Sequence, residues 1–115
     1  MATAPVSVIE LPGYQRDAED ILSADERDDV INTIAFRPLA GDIIPGTGGL
    51  RKLRVARQGI GKRGGARVIY YFHNEGFPAL LVAIFAKNAR ADLSSRLKRE
   101  YSELVKDIVD LWRKQ

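Results

Sequence analysis

Lys52 and Arg54 are the residues whose type and spacing first suggest chemistry. They stand two apart in LRKLRVAR (residues 50–57), so on a strand they share one face while Leu53 and Val55 take the other. Arg67 opens the next β-prone run, ARVIYYFH, and Lys87 closes the one after it, FPALLVAIFAK. Between the first two runs, GIGKRGG carries Lys62 and Arg63. If those runs pair antiparallel, Arg67 falls near Arg54 and Arg57. Several cations on one small sheet face repel one another unless an anion visits. Such a face suits a phosphate, with arginine as the bidentate clamp.

The charge is distributed to match. Residues 1–42 hold nine acids and three bases, residues 43–74 hold seven bases and no acid, and residues 75–115 hold eight bases and six acids. A concentrated basic segment fits a polyanion, and nucleic acid is the commonest one.

Other chemistries find little support. Cysteine is absent, which removes disulfides, thiolate metal sites and cysteine nucleophiles. One histidine, His73, cannot build a histidine metal site, and beside a turn it reads as a satisfied or exposed side chain. The acids cluster as solvated helix-surface charges, as in Glu19-Asp20 and Asp28-Asp29. Gly41 to Gly46 has the spacing of a phosphate loop, but Thr47 follows where lysine is needed. Gly59, Gly61 and Gly64 match a dinucleotide fingerprint, yet a strand follows instead of a helix N-terminus. No metal and no cofactor is expected.

The elements that must position the basic residues can be read along the chain. A chain of 115 residues with 45% hydrophobic and 29% charged content is expected to fold as one domain spanning 1–115. Val6 to Leu11 reads as a short strand closed by a Pro12-Gly13 turn. Tyr14 to Leu22 suits a helix, and Ser23 with Glu26 forms a capping box for a second helix to about Phe36. The two make a helical hairpin. Gly41 to Gly49 reads as a flexible loop and GIGKRGG as a mobile basic turn. Strands follow at 50–57, 66–73 and 77–87, the last two joined by Asn74-Glu75-Gly76. Asp92 or Ser94 caps a final helix with a stripe of Leu97, Tyr101, Leu104, Val105, Ile108, Leu111 and Trp112. Tyr101 and Trp112 therefore read as core, and Tyr70 and Tyr71 face opposite ways on their strand. The expected fold class is α+β, order β-α-α-β-β-β-α, with a mainly antiparallel sheet and the helices on one side.

No apolar run reaches the length a membrane span needs. MATAPVSVIELPG lacks the basic start and long apolar centre of a signal peptide. A cytoplasmic domain is the expectation.

The run GDIIPGTGGLRKLRVARQGIGKRGGARVIYYF, followed by FAKNARADLS, resembles the HigB-type branch of the RelE/ParE toxin superfamily. The combination of GTGGxRKxR, GKRGGxRVIYY and KNxxxDLS carries the resemblance over about residues 41–95, and the element order extends it along the chain. It implies a RelE-like fold, a small twisted sheet with two N-terminal helices and a C-terminal helix. It implies the toxin of a type II toxin–antitoxin pair, a ribosome-dependent endoribonuclease that cleaves messenger RNA in the decoding site without a metal. In that chemistry the ribose 2′-hydroxyl attacks the neighbouring phosphate.

By the same resemblance Lys52, Arg54, Arg67 and Lys87 take the catalytic positions. Arg51, Arg57, Lys62, Arg63, Tyr71 and Phe85 are expected to contact nucleic acid. RelE proper has a tyrosine where Ser94 stands, and many HigB-like sequences have one where Phe85 stands. Phenylalanine can stack on a base but cannot transfer a proton, which leaves Lys52 or Lys87 to handle protons. The implied partners are the ribosome, messenger RNA and a HigA-type helix-turn-helix antitoxin, the last expected on the acidic hairpin around residues 14–36. Two alternatives stay open: a ParE-like toxin that poisons gyrase by binding it, and a basic RNA-binding module without catalysis.

Overall fold

A computed structural model describes residues 4–57, 61–86 and 93–114, without the side chains of residue 57 and residues 61–64. Lys87 and Asp92 lie outside the described residues. The order is β1 (Val8–Glu10), α1 (Pro12–Ile21), α2 (Ala24–Phe36), β2 (Asp42–Ile43), β3 (Leu50–Arg57), β4 (Gly61–Tyr71), β5 (Ala79–Ala86) and α3 (Ser95–Arg113). The fold is α+β, as expected, around one five-stranded mixed sheet of order β1-β5-β4-β3-β2. Its strands pair antiparallel except β1, which runs parallel to β5 with Val8 opposite Ala79.

The helix boundaries follow local chemistry. Pro12-Gly13 is not a turn: Pro12 starts α1, where its missing N–H removes no helical bond. The capping box of α2 forms as the sequence expects. Ser23 Oγ accepts from Glu26 N–H at 3.1 Å, and Ser23 N–H donates to Glu26 Oε1 at 2.8 Å. Ser94 caps α3 by accepting from Leu97 N–H at 3.1 Å.

The helices do not share one side. α1 and α2 pack Tyr14, Ala18, Val30 and Ile34 against Val68, Tyr70 and Leu81 on one face of the sheet. α3 packs Val105 and Val109 against Leu50, Ile69, Tyr71 and Leu80 on the other. A strand buried on both faces needs apolar residues at every position, and the continuous run of β5 supplies them. Ile69 opposes Ala83 while Tyr70 opposes Leu81, so Val82 is an extra residue and β5 carries a bulge. The stripe on α3 also shifts. Val109 is buried, while Leu104, Leu111 and Trp112 are exposed. Trp112 meets the core residue Phe77 edge-on, with 5.1 Å between ring centres.

Two loops are shorter than the sequence suggests. β4 begins at Gly61, opposite Arg57, so the backbone of Lys62 and Arg63 lies in a strand and not in a turn. Residues 41–49 are not all loop either, because β2 adds to the edge of β3 with Asp42 opposite Lys52. No helix among the described residues is long and apolar enough to cross a membrane.

Candidate active site

Strand register assembles the site. In an antiparallel ladder, directly opposed residues point to the same face. Arg54 opposes Arg67, and Arg67 opposes Phe85, which makes one row across three strands. Lys52 opposes Ile69, which opposes Ala83, in the next row on that face. The sequence's expectation for Lys52, Arg54 and Arg67 therefore agrees with their placement: the ladder brings them together on the face that also carries α3. Buried Leu50, Tyr71 and Leu80 form the row beyond, beneath that helix.

Arg67 is the centre of this arrangement. Its residue is half-buried between Arg54 and Phe85, and its Nη1 is buried with no hydrogen-bond partner among the described residues. A buried guanidinium nitrogen without an acceptor costs free energy, of order 1–3 kcal/mol or more for a charged group. An anionic oxygen from a ligand would remove that cost. Arg54 beside it is exposed, so the two can form a rim and a floor for one phosphate.

Two residues named from the sequence, Arg51 and Tyr71, are engaged in holding the fold. Arg51 lies opposite Tyr70, on the α1/α2 face and not with Lys52. Its Nη1 donates to Gly41 O at 2.7 Å and to Leu39 O at 3.4 Å, which ties down the chain before β2. The alternation of residues 51–54 already carried that signal. Tyr71 shares the face of Arg67 but is only 9% exposed beneath α3, with its hydroxyl 3.2 Å from His73 Nδ1. Burial pushes its hydroxyl pKa up, while Arg113 pulls it down. Tyr71 is a core residue with its polar end at the rim, not a platform for a base. Lys87 lies outside the described residues, as noted, and the side chains of Arg57, Lys62 and Arg63 are likewise not described.

The structure adds residues that sequence reasoning missed. Asp42 on β2 stands directly opposite Lys52, so a carboxylate borders the basic face. The hairpin that carries it closes through Thr47, whose hydroxyl donates to Ile44 O at 2.6 Å and accepts from Leu50 N–H at 3.2 Å. Gly46, Gly48 and Gly49 have φ of 74°, 74° and 119°, which a residue with a Cβ adopts only under strain. Pro45-Gly46 between two β-prone stretches was the available signal. Ser102 Oγ of α3 lies 2.6 Å from Lys98 O and 3.0 Å from Thr47 O, so its one proton is shared between its own helix and this loop. On the far side, Tyr70 accepts from Gly41 N–H at 2.8 Å and donates to Pro38 O at 2.7 Å. A Cβ on Gly41 would lie 2.7 Å from Tyr70 Cε1, so the approach of these two segments requires glycine.

No group of three or more His, Cys, Asp or Glu among the described residues could hold a metal ion. The arrangement can bind a phosphodiester, orient it with arginine donors and offer a base-stacking ring at Phe85.

Comparison with known proteins agrees with the architecture. A solved structure of an E. coli RelE toxin variant in the free state matches with a TM-score of 0.54 at 14% identity, covering 77% of this chain and 90% of that chain. At that identity the likeness concerns the fold. A family model, the RelE toxin of the RelE / RelB toxin–antitoxin system, matches residues 41–115. That span runs from β2 through α3 and includes the whole basic face, and the chain belongs to the RelE toxin family.

Proposed function

We propose that this chain is the toxin of a HigB-type pair, a ribosome-dependent endoribonuclease that cleaves messenger RNA in the decoding site and so halts translation in the cytoplasm. The observation that carries the reading is the buried Nη1 of Arg67, without a partner among the described residues, in a row with Arg54 and Phe85. Two arginines directly opposite one another on one sheet face favour an anionic ligand such as a phosphodiester over a contact with protein alone.

The reaction breaks one bond and forms another. The ribose 2′-oxygen attacks the adjacent phosphorus and gives up its proton to water. The bond from phosphorus to the 5′-oxygen breaks, and that oxygen takes a proton. The products are a 2′,3′-cyclic phosphate and a 5′-hydroxyl. Arg67 and Arg54 hold the equatorial oxygens of the phosphorane, where charge builds up. Lys52 or Lys87 protonates the leaving oxygen. Phe85 stacks on a neighbouring base, and Lys62, Arg63 and Arg57 hold RNA phosphates.

Lysine and arginine are poor bases at neutral pH. Much of the rate must then come from holding the 2′-oxygen in line, which the ribosome supplies and free RNA does not. The reading requires no metal or cofactor. A HigA-type helix-turn-helix antitoxin restrains the activity.

The test is cleavage of messenger RNA on programmed ribosomes, with and without chelator, against the same RNA free in solution. Rapid cleavage confined to the ribosome and indifferent to chelation is expected. Equally rapid cleavage of free RNA, loss of activity on chelation, or no cleavage with gyrase inhibition instead would contradict it.

A further inference from the structure

The lysines and arginines of the basic face are protonated at neutral pH, so none of them readily draws the proton from a 2′-hydroxyl. Carboxylates are ionised at that pH and can. The described strands hold two, Glu10 on β1 and Asp42 on β2. Glu10 stands opposite Leu81, on the face that packs against α1 and α2, and its carboxylate accepts from Arg27 Nη2 at 3.3 Å. Asp42 stands opposite Lys52. Ile44 continues that ladder, its N–H donating to Leu50 O at 2.9 Å, and its side chain is buried with Leu50, Ile69 and Leu80 beneath α3. Side chains two apart on extended backbone share a face, so Asp42 turns toward the basic face as Ile44 does.

β2 buries neither of its two side chains, yet it is tied down on both flanks. On one, Gly41 N–H donates to the Tyr70 hydroxyl at 2.8 Å and Gly41 O accepts from Arg51 Nη1 at 2.7 Å. On the other, Ile44 O accepts from the Thr47 hydroxyl at 2.6 Å. The backbone of Asp42 is thus fixed while its carboxylate is exposed and in no ion pair among the described residues. These ties bury no apolar surface of β2; what they secure is a carboxylate beside Lys52. Asp42 is one strand beyond Lys52 and one row from Arg54 and Arg67, which at ordinary sheet spacings puts its Cα roughly 12 Å from that of Arg67.

We propose that Asp42 is the base for the 2′-hydroxyl, its carboxylate holding the water that takes the 2′-proton and accepting a proton from that water in turn. This rests on the nuclease reading. With the phosphate on the forks of Arg54 and Arg67 and its ribose directed across Lys52, the 2′-oxygen comes within one water of the carboxylate, a reach that general bases use. As the 2′-oxygen bonds to phosphorus, its proton passes to the water and the water's proton to Asp42. The bond from phosphorus to the 5′-oxygen breaks, and that oxygen takes its proton from lysine. Asp42 then releases its proton to solvent and the lysine regains one, so the protein ends as it began. Base and acid stand at opposite ends of the scissile phosphate when the acid is Lys87, and side by side when it is Lys52.

The test is single-turnover cleavage on programmed ribosomes by the natural protein, Asp42→Asn and Asp42→Glu, with ribosome occupancy and the urea midpoint measured for each. Two messengers are compared, one natural and one with sulfur in place of the bridging 5′-oxygen at the mapped cleavage site. Sulfur leaves without needing a proton, so it relieves the loss of an acid but not the loss of a base. Asp42→Asn should fold, bind ribosomes and cleave both messengers about a hundredfold more slowly or worse, the range one acid–base group supplies. Asp42→Glu should recover most of the rate. Recovery of Asp42→Asn on the sulfur messenger would make the carboxylate a partner of the leaving-group lysine and overturn the proposal. So would an Asp42→Glu as slow as Asp42→Asn, which would assign the carboxylate to the hairpin. No cleavage by the natural protein would remove the nuclease reading and the proposal with it. Cleavage by Asp42→Asn at the natural rate would remove the proposal alone.

Discussion

Arg54 and Arg67 are direct partners across β3 and β4, two arginines held opposite one another on one face of the sheet. Like charges so placed weaken a sheet by a few tenths of a kcal/mol up to about 1 kcal/mol. Folding gains nothing from the pair, whereas phosphate recognition does. The exposed member is the one to remove. Arg54→Gln should leave stability unchanged or raise it by up to about 0.5 kcal/mol in urea denaturation, while ribosome-dependent cleavage falls. A loss of stability beyond about 1 kcal/mol would show that the guanidinium serves the fold.

Two buried tyrosines should respond in opposite ways to loss of their hydroxyls. Tyr70 is bonded to Gly41 N–H and Pro38 O, so Tyr70→Phe leaves both unpaired and should cost about 1–3 kcal/mol. The Tyr14 hydroxyl is buried with no partner among the described residues. Tyr14→Phe should be neutral or stabilising at neutral pH, because it removes an uncompensated polar group. Urea melts of the two variants side by side check the contrast.

The same hydroxyls set an alkaline limit. Burial pushes the pKa of Tyr14 up to about 12, with Glu10 adding to the rise and Arg27 opposing it. Burial also raises that of Tyr70. In the unfolded chain these groups ionise near pH 10. Below that both states keep the proton and stability is at its full value. Above it the unfolded state loses protons that the folded state retains, so stability falls, by up to about 1.4 kcal/mol per pH unit for each such group. The fall runs from near pH 10 to about 12 for Tyr14. Melting against pH should show this decline, and Tyr14→Phe should lessen it. An identical decline in that variant would assign it to other groups.

Much of this molecule was legible before its structure. The Ser23–Glu26 capping box, the alternation in 50–57 and the unbroken apolar run of β5 are local patterns, and each folds as its pattern requires. Parity alone placed Lys52 and Arg54 together and would have set Arg51 apart. What was not legible depends on distant partners. β2 has two residues and is held by Arg51, Tyr70 and the Thr47 hydroxyl, contacts from positions that no local window joins. The stripe on α3 admits several phases, and only the position of the sheet decides that Val109 is buried and Leu111 exposed. The division of helices between two faces likewise follows from β5 being covered twice. The burial of Arg67 Nη1 is a property of three strands in register, so sequence could propose the arginine but not its burial.

The most direct measurement is single-turnover cleavage on messenger-programmed ribosomes by the natural protein, Arg67→Ala and Arg67→Lys, with ribosome occupancy measured separately and product ends identified by mass spectrometry. Losing one oriented donor to a developing oxyanion typically costs about 3 kcal/mol, or roughly a hundredfold in rate. Lysine cannot reproduce the planar fork. Both variants should bind ribosomes and cleave about a hundredfold more slowly or worse, and the natural protein should leave 2′,3′-cyclic phosphate or 3′-phosphate ends. Wild-type rates in Arg67→Ala, or 3′-hydroxyl ends from the natural protein, would contradict the account.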